Sequence, residues 1–160
     1  MTAKTNSMRL LDARGIPYEV HAFSPGIHSA VGVAESTGVP LERVYKTLVV
    51  IRSDGKPLLA IIPGGCQLSL KKLAHAVGEK KLRMATQREA ERLTGLRVGG
   101  ISALALTGRG FPVYLDRRAL SLENIVVSAG RRGINLGLAV GDLVGVTGAE
   151  VPESPFSEEG

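Results

Sequence analysis

The chain contains no tryptophan, only 4% aromatic residues and a single cysteine, Cys66. So few aromatics argue against a single-strand reader built on rows of stacked bases. One thiol forms no internal disulfide and no cysteine-based metal site, so a reducing, cytoplasmic setting is the simplest expectation. No run approaches the roughly 18 to 20 apolar residues of a membrane span. Met1 to Asn6 lacks the apolar stretch of a secretory signal. Zinc-finger and Walker-loop spacings are missing too, and no metal or other cofactor is expected. The length of 160 residues, with 44% hydrophobic and 22% charged residues, fits one soluble globular domain and excludes disorder throughout.

Charge is plentiful but unevenly placed. The net charge is +5, yet the last twelve residues hold four Glu and no Lys or Arg. The first 148 residues therefore set twenty basic against eleven acidic side chains, a net +9. A body this basic attracts a polyanion in a salt-dependent way. Basic pairs at Lys71-Lys72, Lys80-Lys81, Arg117-Arg118 and Arg131-Arg132 are each either solvated surface or phosphate contacts. Residues 1–149 are expected to form the domain, and 150–160, with Pro152 and Pro155, an acidic solvated tail.

Ser7 to Arg14 reads as a short helix stopped by Gly15, and Ile16 to Val20 as extended. Ser29 is expected to cap a helix through Thr37, and Ser69 another through Val77. Residues 44–52 and 57–63 read as a hairpin around Ser53-Asp54-Gly55-Lys56. Thr86 with Glu89 forms a capping box for a helix over 86–94. Strands follow at 98–106, 112–115, 124–128 and 134–139, and Asp142 is placed as the cap of a last turn through Val146. Short helices among hairpins predict an α+β fold around a largely antiparallel or closed sheet.

Lys46 stands out because strand alternation puts it on one face with Val44, Leu48 and Val50. Either that face is an edge in water or an ammonium points into an apolar site, where it needs an anion or carbonyl. Ser102 lacks the Gly-x-Ser-x-Gly frame of a nucleophile elbow, since residue 104 is Leu. His21, His28 and His75 are scattered, with no spacing that ties a base to Ser102 or builds a metal site. Nothing near Cys66 in sequence marks its thiol as activated. The glycines at 99–100, 108–110, 130–133 and 137–148 suit either tight turns or close approach to a ligand.

An ordered set of segments then becomes familiar. Tyr45-Lys46-Thr47-Leu48, Leu68 to Lys72, Val98-Gly99-Gly100-Ile101-Ser102, Val127 to Gly133 and Asp142-Leu143 together resemble the YbaK family of bacterial aminoacyl-tRNA deacylases. That family is related to the editing insertion of prolyl-tRNA synthetase. The resemblance runs from about residue 5 to 149 and implies a mixed, mostly antiparallel β-barrel flanked by short helices. It implies trans-editing, the hydrolysis of the ester joining a wrong amino acid to tRNA, with Cys-tRNA(Pro) or Ala-tRNA(Pro) as substrate. The family's lysine falls on Lys46, its substrate loop on Gly99, Gly100, Ile101 and Ser102, and its late aspartate on Asp142; Tyr45 lies beside the lysine. Ala103 stands where the loop usually continues to proline, and Phe23 where some members carry a tyrosine. The partners implied are aminoacyl-tRNA and prolyl-tRNA synthetase, with no membrane. An aminoacyl ester is already reactive, so the expectation is loop amides around the developing oxyanion and a charged Lys46 on phosphate or carbonyl, the alternative being Lys46 as a general base whose pKa burial lowers. The competing readings are a non-catalytic tRNA-binding module or inactive paralogue, and a hydrolase of small esters.

Overall fold

Hydroxyl side chains start the first four helices of the protein, whose computed structural model describes residues 3–159. Thr5 caps α1 (Asn6–Ala13), Ser29 caps α2 (Ala30–Thr37), Ser69 caps α3 (Leu70–Val77) and Thr86 caps α4 (Gln87–Thr94), each accepting an amide of the first turn. The expected capping box is present, with Thr86 and Glu89 bonded reciprocally. α5 (Val140–Thr147) departs from expectation. Ala139 is its cap residue and contributes no side-chain bond, while Asp142 sits inside the first turn.

The strands are β1 (Glu19–Ala22), β2 (Tyr45–Arg52), β3 (Pro57–Pro63), β4 (Cys66–Leu68), β5 (Leu82–Met84), β6 (Val113–Leu115), β7 (Asn124–Arg131), β8 (Ile134–Ala139) and β9 (Ser157–Glu159). They form sheets β5-β2-β3-β6, β1-β8-β7 and β4-β9. Only the β3–β6 pairing within these sheets is parallel. β3 is buried on both faces from Leu58 to Pro63, which explains its unbroken apolar run. One core, containing Leu59, Ile61, Ile125, Leu136 and Leu143, fills the space between the two larger sheets. A second, with Val50, Leu58, Ile62, Leu73 and Phe156, lies on the other face of β2–β3, against α3.

The mixed α+β class holds, but the expected barrel does not, because the described sheets stay open. A bridge between Val44 and Val126 links β2 to β7, and the pairing goes no further. A register shift between Ser128 and Arg131 bends β7 near the same place. The 98–106 strand is likewise corrected: that stretch is a chain of turns, with the Gly100 amide donated back to the Arg97 carbonyl at 2.8 Å. Its apolar residues, Ile101, Ala103, Leu104 and Leu106, plug the core from a loop.

The last residues are not a solvated tail. Phe156 is fully buried, its carbonyl accepts from Ser69 N–H at 2.8 Å, and β9 pairs antiparallel with β4. Buried Asp116 accepts the amides of Phe156 (3.0 Å), Ser157 (2.8 Å) and Arg118 (2.9 Å). Glu158 and Glu159 remain exposed, so acidity describes the side chains while one aromatic anchors the backbone.

Candidate active site

The gap between the two larger sheets has a specific origin. Val44 bridges to β7, and the Val49 carbonyl accepts the Ala85 amide at 3.1 Å. Between those points β2 has no neighbour on its outer edge. Strand alternation turns the N–H and carbonyl of Thr47 toward that edge, since Val49, two residues on, bonds outward. A cavity of about 360 Å³ opens there, within the usual range of small-ligand sites. Its walls come from β2, the segment before α2, the N-terminal turn of α4, the loop at 98–101 and the β7–β8 hairpin.

Lys46 lines this cavity with Gly99, Ile101, Phe23 and Tyr45. Lys46 is half-buried, and its ammonium makes no hydrogen bond or ion pair among the described residues. Alternation puts Lys46 on the face of β2 that carries Leu48 and Val50, opposite Tyr45 and Val49, so it reaches the cavity at the unpaired edge of the strand and not from the central core. Tyr45 contributes to the wall, but its side chain packs in the central core. Burial, followed by the nearby charges of Asp116 and Cys66, raises its phenol far above the ordinary range.

The loop glycines are constrained by their neighbours. A Cβ on Gly100 would come within 3.1 Å of the backbone of Arg131 and Arg132, so glycine lets the loop lie against the β7–β8 turn without pushing it back. Gly99 has φ +95°, and a Cβ there would meet His28 Nδ1 at 3.2 Å. The amides of Gly99 and Ile101 have no backbone acceptor among the described residues, whereas that of Gly100 is already used.

Four expected residues lie outside the cavity wall. Gly100 is buried behind it. Ser102 is buried, and its Oγ accepts the Ala105 amide at 3.1 Å, which shapes the turn. Ala103 packs in the core. Asp142 borders a different cavity of about 210 Å³, with Glu19, Arg43 and Asn124.

The structure adds residues the sequence reading did not select. Asn135 is 6% exposed, lines the cavity, and its side chain makes no hydrogen bond to any described residue. Ile134 and Leu136 point into the core, so alternation turns Asn135 the other way. Its cross-strand neighbour Ser128 also lines the cavity, and its Oγ accepts the Gly130 amide at 3.2 Å. A polar residue interrupting each of two apolar strands was the available signal. His28 and Gln87 complete the wall. The α4 entrance is held by Arg83, whose guanidinium meets Glu89 at 2.7 and 2.8 Å. That pair, with the Thr86 amide, brings the Glu89 carboxyl down to about 2. Its stabilising contribution is present above the ordinary carboxylate range and is lost as pH falls through about 2. Among the described residues no cluster of His, Cys, Asp and Glu fits a metal ion, and no helix is long and apolar enough to cross a membrane.

The site can hold a small polar group against Asn135 and Ser128, place a cation near its ester or phosphate, and offer free loop amides to a developing oxyanion. The family model described as "Aminoacyl-tRNA editing domain" matches residues 24–146. An Enterococcus faecalis protein named "Putative Cys-tRNA(Pro)/Cys-tRNA(Cys) deacylase EbsC" is 39% identical over 157 residues, 97% of this chain and 95% of that protein. The proline–tRNA ligase of Acidithiobacillus ferrooxidans is 32% identical over 106 residues, which cover 66% of this chain but 18% of the ligase. A solved structure described as "a putative trans-editing enzyme for prolyl tRNA synthetase" superposes with a TM-score of 0.80 at 26% identity, covering 99% of this chain and 100% of that one.

Proposed function

The chain belongs to the aminoacyl-tRNA editing domain family, and from that premise we propose that it is a trans-editing hydrolase cleaving the ester of mischarged Cys-tRNA(Pro) or Ala-tRNA(Pro). A hydrolase acting on aminoacyl-tRNA is what the family and its deacylase-named relative support. The choice of Cys and of tRNA(Pro) goes further and rests on the name of the deacylase relative, while Ala rests on the family resemblance of the sequence alone. The observation that carries the reading is one cavity with an unpartnered Lys46 on one wall and the Gly99–Ile101 loop on another.

In this mechanism the esterified amino acid enters the apolar interior, with its polar atoms on Asn135 and Ser128. The Lys46 ammonium holds the ester carbonyl or the terminal phosphate. The Gly99 and Ile101 amides receive the negative charge that develops on the carbonyl oxygen when the nucleophile adds. The ester is activated already, so positioning and charge stabilisation lower the barrier without a side-chain nucleophile. The attacking group is a water, a tRNA hydroxyl or, on a cysteinyl ester, the substrate thiol. Collapse of the tetrahedral intermediate breaks the acyl–oxygen bond and returns a proton to the departing ribose hydroxyl.

The test is a panel of Cys-, Ala- and Pro-charged tRNA(Pro) incubated with the purified protein. Cleavage of the Cys or Ala ester with Pro-tRNA(Pro) spared is the expected result. Protection of all three esters would instead identify a tRNA-binding module.

A further inference from the structure

We propose that the loop at 97–99 and the β7–β8 turn form a seat for the unpaired 3′ nucleotides of the tRNA acceptor end. Val98 lies under the terminal base, and Arg97, Arg131 and Arg132 lie on the phosphates. The proposal deepens the reading above, since it rests on that cavity receiving a 3′ end. Val98 is one of the few large apolar residues left in water, at 38% exposure, and it borders the mouth of the cavity. Met84, 40% exposed, is another at the same cavity. The exposure of Val98 is built in. Its amide is donated to Glu91 Oε2 at 2.9 Å, and its carbonyl accepts from Arg132 Nε at 2.8 Å. A valine clamped on both sides of its backbone, beside Gly99, is a fixed apolar platform that a base face would cover.

Two of the cations around it, Arg97 and Arg131, are uncommitted among the described residues, and Arg132 is tied to the Val98 carbonyl through Nε alone. Arg97 and Arg131 are exposed, Arg132 is half-buried, and none forms an ion pair among the described residues. Arg83 and Arg118, elsewhere on the surface, face Glu89 and Glu159. The Gly100 contact with the Arg131–Arg132 backbone presses the platform and two of the arginines together. Guanidinium groups pair with phosphate through planar hydrogen bonds and stack on bases, which suits a short single strand entering a pocket.

The experiment measures the binding of an uncharged acceptor minihelix ending in CCA, and of the same minihelix lacking the terminal A, by fluorescence anisotropy. The double variant R97Q/R131Q is expected to weaken binding about tenfold at low salt and to reduce the slope of log Kd against log salt by about 1 to 2. V98S is expected to weaken binding of the CCA end about threefold, with no change for the shortened end, as a lost apolar contact would. K56Q, in the β2–β3 turn at the far end of β2, is the control for general attraction. The seat is overturned if R97Q/R131Q binds like the parent, or if K56Q weakens binding as much. It is also overturned if V98S acts equally on both ends. These readouts need no ester cleavage, so a parent that seats the CCA end in this way yet hydrolyses no charged tRNA counts against the proposed reaction and not against the seat.

Discussion

Two regions of this molecule bury polar groups, and they treat them in opposite ways. At the C-terminal latch, Asp116 is fully buried and accepts three amides, and the Arg118 guanidinium completes the contact through Ser157 Oγ at 3.0 Å. At the cavity, Asn135 is 6% exposed with a side chain that bonds to nothing described, and Lys46 stands without a partner. Neither group is sealed in: both line the cavity, where a ligand can meet them, whereas the fully buried side-chain atom without a hydrogen-bond partner among the described residues is His21 Nε2. Polar groups tied to backbone amides hold the architecture here, and polar groups left open to the cavity are the candidates for meeting a ligand.

Removing one charge from each region should have opposite consequences. Lys46→Ala is expected to lower kcat/KM on a mischarged tRNA by more than about a hundredfold, the scale of losing a transition-state charge contact. Its circular dichroism and Tm should match the parent. Asp116→Ala is expected to do the reverse. Three orphaned amides should cost about 3–5 kcal/mol of stability in a denaturant titration, with turnover preserved in the molecules that stay folded. Full activity in Lys46→Ala, or an unmoved denaturation midpoint in Asp116→Ala, would erase the distinction.

A smaller effect sharpens it. Asn135→Leu replaces an unpaired amide by an apolar group of similar size, so stability should hold or rise slightly. Catalysis should fall by on the order of tenfold, because a site built to hydrogen-bond its substrate loses that contact. A stability loss of the Asp116 kind, measured by the same titration, would place Asn135 with the architecture.

The two regions also differ in how far the sequence revealed them. Lys46, Gly99 and Ile101 were legible, since a lysine in an apolar strand and a glycine pair are local anomalies, and the order of the segments resembled a family. Caps at Ser29, Ser69 and Thr86 were legible for the same reason: each depends on residues within one turn. The latch was not. It joins Asp116 to Phe156 and Ser157 across about forty positions, and four glutamates drew attention away from the one phenylalanine among them. Residues 98–106 misled because their apolar content suits a strand, while the turn at Gly100 decides their path. Asp142 was chosen by order along the chain, and the helical turn of α5 carries it to another cavity. Asn135 interrupts an apolar strand, but which face of β8 meets the cavity is a tertiary fact that no local pattern carries.

Ser102 lies between the two cases. It is buried like Asp116, and it belongs to the loop that lines the cavity. Its Oγ accepts the Ala105 amide, so it shapes the loop from behind. Ser102→Ala should therefore cost about 1 kcal/mol of stability and lower deacylation only a few-fold, through loosened Gly99 and Ile101 amides. A loss as deep as that of Lys46→Ala would revive the serine as a participant in the reaction.

The smallest expected effect is at Cys66, and it tests whether position relative to the cavity, more than chemical reactivity, assigns function. A thiol is the most nucleophilic side chain in the molecule, and this one is partly exposed. It sits on β4, opposite Glu159, on the latch side of the fold and outside the cavity wall. Its pairing is made by backbone groups, which a serine keeps. Cys66→Ser should leave deacylation within about twofold and the denaturation midpoint within about 0.5 kcal/mol of the parent, as surface changes generally do. Loss of turnover in a folded Cys66→Ser would require the thiol to act from the latch side. The division between a satisfied latch and an unsatisfied cavity would then fail as a guide to where the reaction occurs.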